Sequence, residues 1–329
     1  RTTTGHYSPH LKVTALGGGH GLSATLSALR LISGEISAVV TVADDGGSSG
    51  RLRREMDIIP PGDLRMALAA LASDDADSSL WTRALQHRFG GTGALAGHAV
   101  GNLLIAGLAE VLGSEQAALD KVGELTRSHG RVLPVCNQPL EIEAEVAGLD
   151  EDPRVIRPVR GQVAVATTPG TVRRVRLIPE HPEPSPLAVE AIRDASLVTL
   201  GPGSWFSSVI PHLLVPGIVD ALNETEALKV VVLNLSAEPG ETQGFSSERH
   251  IHMLSQHAPM LRIDRVLVDS EAIPTGAERA YLARAAAVLG AEVVFEDLGT
   301  VDTDGRRLNI HDPVKLSRAF ASLFTDSRD

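Results

Sequence analysis

Several stretches of the 329-residue chain gather the residue types that bind phosphate, hold a cation or move a proton. Gly17-Gly18-Gly19-His20-Gly21 follows a short apolar run and opens a helical one. Its backbone N–H groups and the helix N-terminus can therefore approach a phosphate that side chains would block. The run departs from the dinucleotide fingerprint, because Leu22 stands where the third glycine counted from Gly17 belongs. It departs from the P-loop because no Lys-Ser or Lys-Thr follows. A tight structural corner would use the same glycines. Gly201-Pro202-Gly203-Ser204 repeats the arrangement, with Ser204 and Ser207 as hydroxyl donors. Two such loops suit two phosphates or a diphosphate.

Asp44 and Asp45 end the second apolar run, where nucleotide-binding folds place a carboxylate on a ribose hydroxyl. They suit a divalent cation equally well. Magnesium takes one or two carboxylates with phosphate oxygens and water, so Asp44 or Asp45 with Asp63 would suffice if their loops converge. Against this stands a plainer role for Asp63 as the N-cap of the helix it precedes, and for Asp45 as a turn residue. Ser48 and Ser49, in Gly46-Gly47-Ser48-Ser49-Gly50, add hydroxyls, and Arg51, Arg53 and Arg54 follow as phosphate partners or solvated charges. His98 and Asn102 lie four apart on one helical face, placed to orient a ligand or to serve as satisfied structural residues. The run NLSAEPGETQG, Asn234 to Gly244, could close over a ligand or simply connect elements. Twelve histidines form no H-E-x-x-H helix, so zinc is not expected. No G-x-S-x-G elbow points to a hydrolase, and Cys136 has no evident base partner.

The elements that must carry these residues alternate. Strands are expected at Val13–Leu16, Ile36–Val42, Leu197–Leu200, Val230–Leu235, Arg265–Val268 and Glu292–Phe295, with helices between them. This predicts an α/β, doubly wound, Rossmann-like fold on a mainly parallel sheet. Runs at Arg131–Val135, Leu140–Val146, Gln162–Thr167 and Thr171–Ile178 lack intervening helices and read as strands of a β-rich insertion, about 131–180. Residues 1–10 read as a flexible tail, and 11–329 as a single nucleotide-binding domain.

Composition narrows the partners. Thirty Lys plus Arg against 41 Asp plus Glu leave a charge of −11, which argues against nucleic acid or an anionic membrane. Hydrophobic residues make up 43% and aromatics only 3%, the material of helices on a buried parallel sheet. Cys136 is the only cysteine and excludes an intramolecular disulfide framework; with no apolar run long enough to span a bilayer, the cytoplasm is the expected location.

GGGHGLS (Gly17 to Ser23), VTVADDGGSSGRLR (Val40 to Arg53), PPGD (Pro60 to Asp63), GHAVGNL (Gly97 to Leu103), GPGSWFSSVIPHLLVPGI (Gly201 to Ile218) and EPGET (Glu238 to Thr242) together closely resemble the gluconeogenesis factor family, YvcK-like within the CofD-like superfamily. The likeness runs in order to HDPVKL (His311 to Leu316), and His20, where many members have Thr, resembles the actinobacterial ones. The resemblance implies a Rossmann-like regulator that binds a nucleotide sugar, UDP-N-acetylglucosamine, and links carbon supply to cell-wall synthesis and cell shape. It implies ligand roles for Gly18, Gly19, His20, Gly21, Asp44, Asp45, Ser48, Ser49, His98, Asn102, Gly201, Gly203, Ser204 and Ser207, and a magnesium role for Asp44 and Asp63. A Ser/Thr protein kinase and a homo-oligomer are further expected partners. The alternative is a magnesium-dependent transferase resembling 2-phospho-lactate transferase, and an NAD oxidoreductase ranks last because the third glycine is missing.

Overall fold

The computed structural model describes residues 7–237 and 243–328. The chain opens with β1 (Ser8–Gly17), α1 (Gly19–Leu29) and β2 (Ser33–Val40). Five helices follow: α2 (Gly47–Met56), α3 (Gly62–Leu71), α4 (Ala76–Gln86), α5 (Val100–Leu112) and α6 (Glu115–Leu125). After β3 (Gly130–Pro134) come β4 (Glu141–Ala147), β5 (Ile156–Arg160), α7 (Gln162–Thr167) and β6 (Thr171–Ile178). Next are α8 (Pro186–Asp194), β7 (Leu197–Leu200), a π-helical turn (Trp205–Val209), α9 (Ile210–Leu214), α10 (Ile218–Glu224) and β8 (Leu228–Val232). The remaining elements are α11 (Gln243–His257), β9 (Arg265–Asp269), α12 (Gly276–Val288), β10 (Glu292–Glu296), β11 (Gly299–Val301), β12 (Arg307–His311) and α13 (Pro313–Asp326).

Seven strands form a parallel sheet in the order β10-β9-β8-β7-β1-β2-β3. Every residue of β7 and β8 is buried, as strands covered by helices on both faces require. The chain leaves β1 toward β2 and β3, then returns to β7 on the other side of β1 and runs outward to β10. The order therefore reverses between β1 and β7. At such a switch point the two following loops diverge to opposite faces and leave a crevice at the strand ends.

The doubly wound expectation holds, with local corrections. Ser8–His10 belong to β1, so the stretch read as tail is partly strand; residues 1–6 lie outside the described residues. Arg131–Pro134 pair with β2 in the main sheet, so the insertion is confined to β4–β6, a three-stranded antiparallel sheet ordered β5-β4-β6. Gln162–Thr167 is a helix rather than a strand. Its first N–H groups are capped by Asp45, more than a hundred residues earlier, a contact that local pattern cannot reveal. The Gly/Ser-rich stretch after Asp45 winds into α2. No single helix among the described residues is long and apolar enough to cross a membrane.

Candidate functional site

The crevice lies where the switch point requires it. A cleft of about 300 Å³ opens between the loop after β1 and the loop after β7, lined by His20, Gly21, Pro202, Gly203, Ser204 and Asn234 on the sheet side. Asn309, Ile310 and His311 of β12 form its far wall. A larger groove, about 510 Å³, opens at the opposite, amino ends of β1, β2 and β3, among Lys12, Glu35, Arg131 and Asp194. The glycine loops do not line it, and ligands of open parallel sheets sit at the carboxyl ends, so the smaller cleft is the candidate.

Two glycines are required by contact. A Cβ on Gly21 would stand 2.2 Å from the Pro202 carbonyl oxygen, so the two loops touch backbone to backbone. A Cβ on Gly18 would stand 2.6 Å from Thr41 Oγ1 and 2.9 Å from Asp63 Oδ2. Gly18 is the N-cap of α1 and provides no side-chain cap; the Asp63 carboxylate accepts the Gly19 N–H at that end of the helix.

Asp63 is not the N-cap of α3; Pro61 holds that place, and Asp63 lies in the first turn. Its carboxylate instead turns toward β1 and β2, where Thr41 Oγ1 donates to Oδ2 at 3.4 Å and the Gly19 N–H also donates to it. Burial first, and the Asp44 charge second, push its pKa up to about 7. The residue is half-buried, so its carboxylate is largely surrounded by protein without being sealed from solvent. Asp44 is also held above the ordinary carboxylate range, chiefly by burial; the Gly46 N–H, donating to Oδ1 at 3.0 Å, opposes this. The two acids thus disfavour each other's ionisation, a repulsion that a cation or added donors would relieve. Asp44 and Asp63 fit the donor set magnesium takes beside phosphate oxygens. Among the described residues no cluster of three or more His, Cys, Asp or Glu offers an all-protein metal cage.

Asp45 points elsewhere. Both its oxygens accept backbone N–H groups of the insertion, from Gln162 at 3.1 Å and Val163 at 3.0 Å. Ser49 Oγ accepts the Gly62 N–H at 2.8 Å and bonds Asp44, tying α2 to the start of α3. Ser48, His98 and Asn102 come together in one buried network: Ser48 Oγ lies 2.7 Å from His98 Nδ1, and Asn102 Nδ2 donates to Ser48 Oγ at 3.1 Å. Arg65, which sequence reading left out, completes it by donating to Asn102 Oδ1 at 2.9 Å and to Gln86 Oε1 at 2.7 Å. Its only sequence signal is a charge two residues after Asp63 in an otherwise apolar helix.

The second glycine loop is more occupied than the first. The Gly203 N–H donates to Asn234 Oδ1 at 2.9 Å, and Asn234 Nδ2 returns a bond to the Gly203 carbonyl at 2.9 Å. The Gly201 carbonyl accepts from Thr25 Oγ1 at 3.3 Å. This loop supplies close approach and the exposed Ser204 hydroxyl, to which the buried Ser207 hydroxyl donates. Buried His212 ties the π-helical side to β1: Nε2–H donates to the Gly17 carbonyl at 3.0 Å, and burial lowers the ring pKa to about 4. Glu238 to Thr242, the EPGET motif, lies outside the described residues.

The family model for the 2-phospho-L-lactate transferase CofD matches residues 13–309. The gluconeogenesis factor of Bacillus subtilis is 37% identical over 325 residues, covering 96% of this chain and 98% of its own. A Mycobacterium tuberculosis protein to which the same name is provisionally given is 59% identical over 305 residues, 93% of this chain and 88% of its own. A crystal structure of a UPF0052 family member from Bacillus halodurans superposes with a TM-score of 0.80 at 34% identity, over 94% of this chain and 99% of that one. Fold, motif order and these likenesses agree: the chain belongs to the gluconeogenesis factor family, within the CofD superfamily.

Proposed function

We propose that this protein is a cytoplasmic regulator that binds UDP-N-acetylglucosamine and links carbon metabolism to cell-wall synthesis and cell shape. The observation that carries the reading is the switch-point cleft between the two glycine loops, with the acid pair Asp44 and Asp63 beside the first of those loops. In this reading the diphosphate lies on Gly18, Gly19 and Gly21, with His20 and Ser204 as side-chain donors. Gly201 and Gly203 allow the close approach. Asp44 and Asp63 take a sugar or ribose hydroxyl, or a magnesium ion bridging to the diphosphate. The base lies toward Asn234 and the Asn309–His311 wall. Ser48, Ser49, His98 and Asn102 hold the carboxylate loop in place from behind, and Asp45 joins that loop to the insertion.

The alternative reading is a magnesium-dependent transferase resembling 2-phospho-L-lactate transferase. It is favoured by the family model and by the paired carboxylates, which suit phosphoryl chemistry with a bound cation. Isothermal titration with UDP-N-acetylglucosamine, UDP-glucose, GDP and NAD, with and without magnesium and followed by mass spectrometry, separates the readings. Saturable binding of the UDP-sugar with the ligand recovered intact supports the regulator. Selective GDP binding, or magnesium-dependent loss of the nucleotide sugar, supports the transferase and refutes the first reading.

A further inference from the structure

We propose that Arg51 and Arg88, backed by buried Arg65 and His98, form a second anion site, separate from the glycine-loop cleft, that takes the phosphate of a phosphomonoester. The geometry is convergent. Arg51 donates to the Ala96 carbonyl at 2.7 Å and to that of Ala94, while Arg88 donates to the Gly97 carbonyl at 2.8 Å. Both guanidinium groups therefore gather on the loop immediately before His98. Arg65 reaches the same histidine from below, through Asn102 and Ser48.

Arginine fixes the direction of the first two bonds of that relay. Arg65 can only donate, so Asn102 Oδ1 faces it and Asn102 Nδ2 faces Ser48. The proposed site takes the tautomer in which Ser48 gives its own hydrogen to His98 Nδ1, so that the ring hydrogen sits on Nε2. Nε2–H makes no hydrogen bond among the described residues and is not sealed from solvent. Burial, and after it the Arg51 charge, lowers the His98 pKa, so the ring is a neutral donor at physiological pH.

The charges are also unbalanced. Arg131, Arg154, Arg157, Arg160, Arg176, Arg193 and Arg307 all form ion pairs. Arg51, Arg65 and Arg88 form none among the described residues; several exposed arginines, such as Arg83 and Arg127, share this, but these three are set around one histidine. Arg51 and Arg88 hydrogen-bond only to neutral carbonyls; the Arg88 charge bears on Arg65, where Asp63 and Asp44 oppose it, and on His98, where Glu55 does. Guanidinium forks beside an N–H donor match a tetrahedral dianion better than a single carboxylate.

The test is a titration of inorganic phosphate followed by NMR of protein labelled at arginine and histidine side chains, with acetate as the control anion. The expected result is a saturable shift of His98 Nε2–H and of the Arg51 and Arg88 Nε–H signals. Arg51→Gln and Arg88→Gln should each weaken the phosphate response about tenfold, the loss of one charge-assisted contact. Arg88 is exposed, so its variant keeps the fold. Three outcomes overturn the proposal: shifts confined to the Gly19–Gly21 amides, equal responses to acetate and phosphate, or glutamine variants that bind phosphate as well as the parent. Each would leave these arginines as braces of the loop.

Discussion

Two aspartates at the carboxyl edge of the sheet meet opposite treatment. Asp269, at the end of β9, is 3% exposed, and its charge is answered in full. Arg307 pairs with Oδ2, and the Leu298 N–H donates to Oδ1 at 3.0 Å. Arg307 also reaches Glu271 at 2.8 Å, so the β11–β12 hairpin is fastened to the sheet and its Asn309–His311 segment becomes the cleft wall. Asp63 has no ion pair among the described residues; its charged neighbour of largest effect is Asp44, which repels it. The first aspartate is neutralised by the protein that positions it. The second is left for something outside the protein to neutralise, and that contrast separates a positioning carboxylate from a ligand-facing one.

The contrast can be broken first at Asp269. Asp269→Ala strands the Leu298 N–H and leaves Arg307 to its pair with Glu271, and should cost about 2 kcal/mol of stability by denaturant unfolding, the consequence of a lost buried acceptor and one arm of an ion pair. Asp63→Asn removes a repelled, desolvated charge, so its unfolding free energy at pH 8 should equal or exceed the parent's by about 1 kcal/mol. A loss as large as that of Asp269→Ala would abolish the distinction. Asp45→Ala loses only the cap of α7, about 1 kcal/mol, and should change UDP-sugar affinity less than about threefold.

The pH profile tests the same contrast from the side of the Asp63 proton. Asp63 has an ordinary value of 3.8 and a folded value of about 7. Between these the folded state keeps a proton that the unfolded chain has released. Its contribution to stability is thus complete below 3.8, fades as pH rises, and is lost above about 7. His212 and His311, lowered from 6.5 to about 4, slope the other way: stability they contribute above 6.5 is lost as pH falls through about 4. The Asp63 slope is therefore read as a difference. Thermal melts from pH 4 to 8 should show the parent gaining on Asp63→Asn as pH falls, and parallel curves would refute the shifted carboxyl.

What the sequence disclosed depended on how local the cause was. Gly17 to Gly21 and Gly201 to Ser204 were legible because a glycine turn between strand and helix is written in adjacent residues. Leu197–Leu200 was legible because Leu-Val-Thr-Leu is a short, mainly apolar run with β-branched residues ahead of a glycine turn. Gln162–Thr167 was misread as a strand because its helix depends on Asp45 across a long chain separation. The start of α2, Gly47-Ser48-Ser49-Gly50, contains poor helix formers and is held by contacts with α3 and α5 instead. Asp63 looked like a cap because acids commonly cap helices, yet its direction is set by the Thr41 hydroxyl after β2 and the Gly19 N–H at the start of α1. Arg65, Asn309 and Ile310 carry no motif; tertiary placement alone brings them to the site.

The central claim is that Asp63 is held uncompensated at the switch point for the use of a ligand. Isothermal titration of UDP-N-acetylglucosamine into the parent and into Asp63→Asn, with magnesium present, tests it most directly. The account predicts saturable one-to-one binding by the parent and affinity at least tenfold weaker, about 1.4 kcal/mol, in a variant that stays folded. Equal affinity in the two proteins, or no binding by the parent, would contradict it.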